Sequence, residues 1–167
     1  MKKAAVIMGS YSDLPVVEKA ITTLQELEIP CEVHVFSAHR TPVQLRVFAE
    51  QAQSNGFGVI IAAAGKAAHL AGAVAANTVL PVIGIPVKAS TLDGLDALLS
   101  TVQMPAGIPV ATVAIDGAVN AALLAAQILA VDDSELYARL LEQRIASAHA
   151  VLNKDEEISS KYTTTQN

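Results

Sequence analysis

The sequence contains no tryptophan, and aromatic residues make up only 4% of its 167 positions. It also lacks a stripe of basic residues, and its formal net charge at pH 7 is −5. Proteins that bind nucleic acids neutralise phosphates with basic surfaces and hold single strands by stacking bases on aromatic rings. These two absences argue against DNA or RNA as a partner.

Patterns of metal ligands are missing as well. A single cysteine, Cys31, excludes an intrachain disulfide and a zinc site made of thiolates. Its place at the start of a strand indicates a small buried hydrophobe. The histidines are scattered without the spacing of metal ligands: His34, His39, His69 and His149. We therefore expect no metal ion.

No uninterrupted apolar segment is long enough to cross a bilayer. Lys66, His69, Asn77 and Thr78 interrupt the most apolar region. The apolar run from Ala4 to Met8 is too short for a signal peptide. We expect a cytoplasmic protein with no membrane partner.

Hydrophobic residues make up 52% of the chain, which is enough for one sizeable core. They form five short runs that predict strands: Ala4 to Met8, Cys31 to Phe36, Gly58 to Ala63, Pro81 to Val87 and Val110 to Ile115. The third, fourth and fifth runs are almost continuously apolar, which is typical of strands covered on both faces.

Helical patterns separate these runs and follow the last one. We predict helices over Leu14 to Glu28, Pro42 to Asn55, Ala67 to Asn77, Leu92 to Val102, Val119 to Ala130 and Asp132 to Leu152, the last opened by Asp133 or Ser134. Such alternation implies parallel strands with right-handed crossovers. The prediction is a three-layer α/β/α domain of flavodoxin-like type, with a five-stranded parallel sheet in the order 2-1-3-4-5 and an extra C-terminal helix.

The chain divides into a single domain over residues 1–152 and a polar tail over 153–167, which we expect to be mobile. Residues 71–76 and 121–126 are rich in alanine, and small side chains let helices approach closely. The last two helices are more apolar than one domain requires. We therefore expect them to pack against other copies of the chain.

The first predicted strand ends in Gly9-Ser10-Tyr11-Ser12-Asp13, just before a helix. Gly9 permits close approach of the backbone, and the hydroxyls of Ser10 and Ser12 join the free amides of the first helical turn as donors to an anion. Asp13 would repel a phosphate, so its expected ligand is a sugar hydroxyl. The structural alternative is that Ser12 or Asp13 caps the helix.

The second strand gives way to Ser37-Ala38-His39-Arg40-Thr41-Pro42, in which Thr41 is placed as an N-cap and Pro42 as the first helical residue. In open α/β sheets, ligands bind beyond the carboxyl ends of the strands. His39 is the residue that we expect to transfer protons near neutral pH. Arg40 either clamps an anion held by the first loop or forms a surface ion pair.

The third strand leads into a loop with little side-chain bulk. Ala64 and Gly65 offer backbone groups that suit a flat ring. Lys66 adds a cation that either contacts the ligand or points to solvent. His69 falls in the first turn of the next helix, where it packs, caps the helix or supports catalysis.

No Ser-His-Asp or Cys-His pattern, P-loop or Gly-x-Gly-x-x-Gly motif is present. The residues therefore predict proton transfer on a small bound ribose phosphate, without a cofactor. Two alternatives fit the residues less well. A flavin-binding redox domain would need more aromatic residues, and a signalling receiver would need an acidic cluster for Mg²⁺.

Four segments in register carry a resemblance to a known family: Gly9-Ser10-x-Ser12-Asp13, Ser37 to Pro42, Ala68-His69-Leu70 and Val102 to Val110. Over about Ala4 to Arg144, the chain resembles the class I N5-carboxyaminoimidazole ribonucleotide mutases of bacterial purine synthesis. The family usually has glycine at the position of Lys66 and proline at that of Ala71.

The resemblance implies a cofactor-free homo-octamer that moves a carboxylate from the exocyclic nitrogen of an aminoimidazole ribonucleotide to ring carbon four, through release and recapture of CO2. It also implies that His39 shuttles the protons. Contacts to the substrate are then expected from Gly9, Ser10, Ser12, Asp13, Ser37, Ala38, Arg40, Ala64, Gly65, Lys66 and Leu70. The alternative is the class II reaction, which carboxylates with free CO2 and uses a different loop in place of Ala67 to Leu70.

Overall fold

The computed structural model describes residues 1–90 and 92–163. Within these residues each strand is followed by a helix, and one further helix ends the fold. The strands are β1 (Lys3–Met8), β2 (Cys31–Val35), β3 (Phe57–Gly65), β4 (Val82–Val87) and β5 (Ala111–Thr112). The helices are α1 (Leu14–Glu26), α2 (Pro42–Gln51), α3 (Leu70–Ala75), α4 (Leu95–Val102), α5 (Ala118–Leu129) and α6 (Ser134–Tyr162).

The sheet is parallel throughout, in the order β2-β1-β3-β4-β5. This confirms the predicted flavodoxin-like topology with an extra C-terminal helix. Met8 at the end of β1 pairs with Val35 of β2 and with Ala63 of β3. The loops that follow these three strands therefore leave the sheet at one edge and at nearly the same level.

Alternate residues of the central strands pack into two separate hydrophobic cores, one on each face of the sheet. Val6 and Ile61 point to one face, where α1, α5 and the start of α6 pack. Ile7 and Ile60 point to the other face, which α2 and α3 cover. Because both faces are covered, β3 is buried from its first residue to Ala63, and this burial explains its continuously apolar sequence.

The fifth strand differs from its prediction. Only Ala111 and Thr112 form it, instead of Val110 to Ile115, and Ala111 is exposed. β5 lies at the edge of the sheet with one neighbouring strand, and the chain soon turns through Asp116 in the left-handed region (φ 56°). The prediction that these strands are buried on both faces is therefore correct for β3 and β4 and wrong for β5.

Four helices are shorter than predicted. α1 ends at Glu26 rather than Glu28. α2 ends at Gln51 rather than Asn55, and the turns that follow lead to a left-handed glycine, Gly56 (φ 85°). α3 begins at Leu70 rather than Ala67, and α4 at Leu95 rather than Leu92. Residues with positive φ precede both of these starts, and a right-handed helix cannot include them.

The C-terminal helix is longer than predicted. α6 runs to Tyr162 rather than Leu152, so the expected tail is helical up to that residue, while 164–167 lie outside the described residues. Residues 153–162 contain no glycine or proline, and Lys154 pairs with Glu157 at 2.7 Å across one turn. As predicted, Asp133 opens α6: its Oδ1 accepts a hydrogen bond from the Leu136 N–H at 2.9 Å. Neither α6 nor another helix in the described part of the chain is long and apolar enough to cross a membrane.

Candidate active site

The loops that follow β1, β2, β3 and β4 form a cavity of about 730 Å³ at the carboxyl edge of the sheet. Its lining includes every residue from which substrate contacts are predicted: Gly9, Ser10, Ser12, Asp13, Ser37, Ala38, Arg40, Ala64, Gly65, Lys66 and Leu70. His39 also lines it, and His69 contacts His39. The fold thus brings three separate segments together, while the part that each residue plays towards a ligand stays a prediction.

The first loop is closed by hydrogen bonds among its own side chains. Ser10 Oγ accepts from the Ser12 N–H at 3.3 Å and from Ser12 Oγ at 2.9 Å, and Asp13 Oδ2 accepts from the Ser10 N–H at 3.2 Å. This capping box starts a short 3₁₀ turn over Tyr11–Asp13. The cap is therefore Ser10, not Ser12 or Asp13, because the extra turn moves the start of the helical segment back along the chain.

The second loop is also closed by hydrogen bonds, and Arg40 fastens it to the first. Thr41 stands at the N-cap of α2 but makes no capping bond; its hydroxyl accepts from the Ser37 N–H at 2.8 Å instead. Ser37 Oγ accepts from Arg40 N at 3.2 Å and from Arg40 Nε at 3.3 Å. Arg40 Nη2 donates to the Gly9 carbonyl at 3.1 Å.

The structure gives no support to the alternative of a surface ion pair for Arg40. Among residues 1–90 and 92–163, no carboxylate forms a salt bridge with its guanidinium. Arg40 instead lies between two loops, with its charge available at the junction.

His39 and His69 form a pair that joins the second loop to the third. His39 Nε2 lies 2.9 Å from His69 Nδ1, and the two rings meet edge to face with centroids 5.1 Å apart. One ring must donate and the other accept, so the pair can share a proton. Sequence analysis named both residues but not their contact, since they are 30 positions apart and no pattern in the sequence links them.

Backbone geometry sets the third loop. β3 and β4 come so close at Gly65 that a Cβ there would lie 3.1 Å from the Val87 carbonyl oxygen. Lys66 follows with a φ of 54°, in the left-handed region that favours glycine. Its carbonyl accepts from the Ala68 N–H at 2.8 Å, and this tight turn delays the start of α3.

One part of the cavity was missed by sequence analysis. Val87 at the end of β4 and the next three residues, Lys88, Ala89 and Ser90, line the side next to the third loop. The Lys88 N–H donates to Asp116 Oδ1 at 2.9 Å, which ties this segment to the turn after β5. The strand order contained the signal, because β4 neighbours β3 and its carboxyl end must border the same cleft.

The cavity is more basic than the chain as a whole. Arg40, Lys66 and Lys88 line it together with one carboxylate, Asp13, although the net charge of the protein is −5. Burial raises the pKa of Asp13 above its ordinary value, while hydrogen bonds within the first loop and the Arg40 charge oppose that rise. This balance of charge favours an anion, with one acceptor left for a group such as a sugar hydroxyl.

Among residues 1–90 and 92–163, no three histidine, cysteine, aspartate or glutamate side chains cluster in a position to hold a metal ion.

Comparison with known proteins gives the family. The profile of AIR carboxylase matches residues 3–150. The N5-carboxyaminoimidazole ribonucleotide mutase of Pyrococcus abyssi is 55% identical over 144 residues, which cover 86% of this chain and 83% of that protein. The protein of the same name from Haemophilus influenzae is 54% identical over 154 residues, which cover 91% and 94%. The crystal structure of Treponema denticola PurE matches with a TM-score of 0.84 at 27% identity, over 96% of this chain and 98% of that one. The chain therefore belongs to the AIR carboxylase family.

Proposed function

We propose that the protein is an N5-carboxyaminoimidazole ribonucleotide mutase of purine biosynthesis. This isomerase moves a carboxylate from the exocyclic nitrogen of the ribonucleotide to carbon four of its imidazole ring. Relatives that carry this name are 54% and 55% identical to the chain. The observation that carries the proposal is the cavity, in which an anion-binding junction at Arg40 and the pair of His39 and His69 lie together.

The phosphate of the nucleotide binds where the first two loops meet. Arg40 provides the charge, and the hydroxyls of Ser10 and Ser12 provide further donors. A hydrogen bond to a charged group contributes about 1.5–3 kcal/mol, against about 0.3–1 kcal/mol for a helix dipole. Arg40 therefore dominates the affinity for phosphate, and Asp13 accepts a hydrogen bond from the ribose.

His39 moves the protons of the reaction. As the N–C bond to the carboxylate breaks, CO2 leaves and the exocyclic nitrogen takes a proton from the imidazolium. Carbon four then attacks the CO2, and the neutral imidazole removes the proton that this carbon carries. His39 ends in the state in which it began, so one residue acts as acid and then as base. His69, 2.9 Å away, orients it.

The CO2 must be held until the ring attacks it. Small apolar side chains line the cavity near the third and fourth loops, and none of them is a nucleophile: Ala64, Ala67, Leu70, Val87 and Ala89. Walls of this kind exclude water from a reactive intermediate without competing for it.

The test is an assay of the purified protein with two substrates. A mutase converts N5-carboxyaminoimidazole ribonucleotide without added bicarbonate. A direct carboxylase, the alternative, requires the decarboxylated nucleotide and CO2. The names of the two relatives described above favour the mutase over the direct carboxylase and over a flavin-binding domain. The proposal fails if the carboxylated substrate yields no product.

A homo-octamer acting in the cytoplasm completes the proposal. In the single chain, large apolar side chains lie exposed near and on α6: Val131, Tyr137, Leu141 and Ile145. Monomeric soluble proteins rarely expose apolar surface of this kind over a continuous patch. Light scattering should give the mass of an octamer, and a monomer at micromolar concentration would remove this part of the proposal. Cell fractionation tests the location.

The catalytic unit comprises residues 1–152, and residues 153–167 are not needed for activity. The match to the family ends at residue 150. The side chains of residues 141–163 are all exposed in the single chain. A chain that ends at Leu152 should keep the turnover and the melting temperature of the full chain, and loss of either would place the tail within the functional unit.

A further inference from the structure

The cavity is lined by a cationic side chain, that of Lys66, which takes no part in the proposed phosphate contacts. Lys66 lies on the third loop, three residues before His69, whereas Arg40 lies where the first two loops meet. β2 and β3 flank β1, so their carboxyl ends are about 10 Å apart at the usual spacing of strands. The lining therefore carries positive charge on both sides of β1.

The side chain of Lys66 is available to a ligand. Among residues 1–90 and 92–163, no carboxylate forms a salt bridge with its ammonium. Lys88, which also lines the cavity, pairs with Asp93 at 3.0 Å. The carboxylate within the lining, Asp13, is on the first loop, where Arg40 acts on it.

The backbone of Lys66 also points to a ligand-binding role. Its φ of 54° is disfavoured for a side chain that has a Cβ. Residues in such conformations persist where their surroundings fix them, and they cluster at ligand sites. Here the close approach at Gly65 and the hydrogen bond from Ala68 fix the turn, which places a lysine at the cavity.

We propose that Lys66 binds the carboxylate that the reaction transfers, and so distinguishes the carboxylated nucleotide from its decarboxylated form. This inference rests on the proposed function. The nucleotide has two anionic ends, the phosphate and the carboxylate, with the ribose and the ring between them. If Arg40 binds the phosphate where the first two loops meet, the ring and its carboxylate extend towards the third loop, which carries Lys66. An ammonium and a carboxylate form a strong, charge-assisted hydrogen bond.

Calorimetric titration with two stable nucleotides tests this assignment. The probes are 4-carboxy-5-aminoimidazole ribonucleotide, the product, and 5-aminoimidazole ribonucleotide, which lacks the carboxylate. Asparagine tolerates the left-handed region, so Lys66→Asn removes the charge and keeps the backbone. For this variant we expect about tenfold weaker binding of the carboxylated nucleotide and a change within about twofold for the other. Lys66→Arg should keep most of the difference between the two affinities.

Two further variants complete the design. Lys66→Gly is a second neutral replacement that suits the positive φ, so it should melt no lower than the parent and show the same selective loss. Lys19→Asn removes a positive charge from the exposed face of α1 and serves as the control for a general effect of charge.

Three outcomes would overturn the inference. In the first, Lys66→Asn weakens the binding of both nucleotides equally. In the second, it weakens the binding of neither. In the third, the selective loss follows Lys88→Asn instead, which would place the carboxylate beside β4. If the parent protein binds neither nucleotide, the proposed function itself fails and the inference fails with it, and this result is visible before any variant is made.

Discussion

The two walls of the cavity are built by different means. The polar wall (Gly9–Asp13 and Ser37–Arg40) is held by side-chain hydrogen bonds, such as those from Arg40 to Ser37 and Gly9. The backbone wall (Ala64–Ala67 and Val87–Ser90) is held by the close approach of β3 and β4 and by a left-handed turn. Side chains that bond to each other can also bond to a ligand, whereas a wall fixed by its backbone provides shape. This difference supports the proposal that the phosphate binds at the polar wall and the ring at the backbone wall.

The largest effect should come from breaking the contact between His39 of the polar wall and His69, which lies two residues beyond the first segment of the backbone wall. His39→Asn should lower kcat by about 10²–10⁴-fold, which is the usual contribution of a general acid–base group. Affinity for the nucleotide should change little, because the phosphate contacts remain. His149→Asn on the exposed surface of α6 is the matched control. Turnover close to that of the parent would remove His39 from the mechanism.

Arg40→Met tests the polar wall alone. Loss of one charge-assisted hydrogen bond should weaken nucleotide binding by about 10- to 100-fold. Arg46→Met on α2 is the control, since Arg46 pairs with Glu50 at 2.7 Å on the surface and does not line the cavity. Equal affinities of the Arg40 variant and the parent, measured by calorimetry, would contradict the phosphate assignment.

A pair of glycine substitutions compares the two walls directly. Gly65→Ala places a Cβ 3.1 Å from the Val87 carbonyl oxygen, so it should lower the free energy of unfolding by about 1–3 kcal/mol. At Gly9 the nearest contact of a Cβ is an ordinary 3.6 Å, so Gly9→Ala should cost less than about 0.5 kcal/mol. Urea denaturation measures both values. The opposite order would show that close approach does not hold the backbone wall.

The smallest effect concerns the buried carboxyl of the polar wall. The pKa of Asp13 is higher in the folded protein than in the unfolded chain, because burial disfavours its charge. The parent therefore loses stability as the pH rises from the unfolded-state pKa through the folded-state pKa. Asp13→Asn lacks this loss, so its unfolding free energy should be at least that of the parent at pH 7, with the advantage disappearing in acid. A parent that gains stability over this pH range relative to the variant would show that the hydrogen bonds outweigh burial.

Sequence analysis could predict the polar wall because its geometry follows from side chains with clear chemistry. Serines, a histidine and an arginine stood at the ends of two strands, and the strand order placed them side by side. The same order implied that the segment Val87–Ser90 borders the cleft, but those residues carry no motif that draws attention to them.

The remaining errors share a physical cause, which is that backbone conformation is set by tertiary structure. The predicted starts of α3 and α4 were wrong because Lys66, Leu92 and Asp93 adopt positive φ. None of the three is a glycine, so their residue types do not indicate this conformation. The contact between His39 and His69 depends on where two loops end in space. The end of α6 was wrong because a polar composition indicates solvent exposure, which a helix satisfies as well as a coil.

The hydroxyl proton of Ser12 already has an acceptor, Ser10 Oγ, at 2.9 Å. A ligand oxygen must therefore displace Ser10 Oγ as the acceptor. Exchange of one neutral acceptor for another yields almost no net binding free energy. A fully ionised oxyanion does yield a gain, because its hydrogen bonds are roughly twice as strong as those of neutral acceptors. We therefore expect the Ser12 hydroxyl to turn towards a charged oxyanion and to stay with Ser10 when only a neutral alcohol is present.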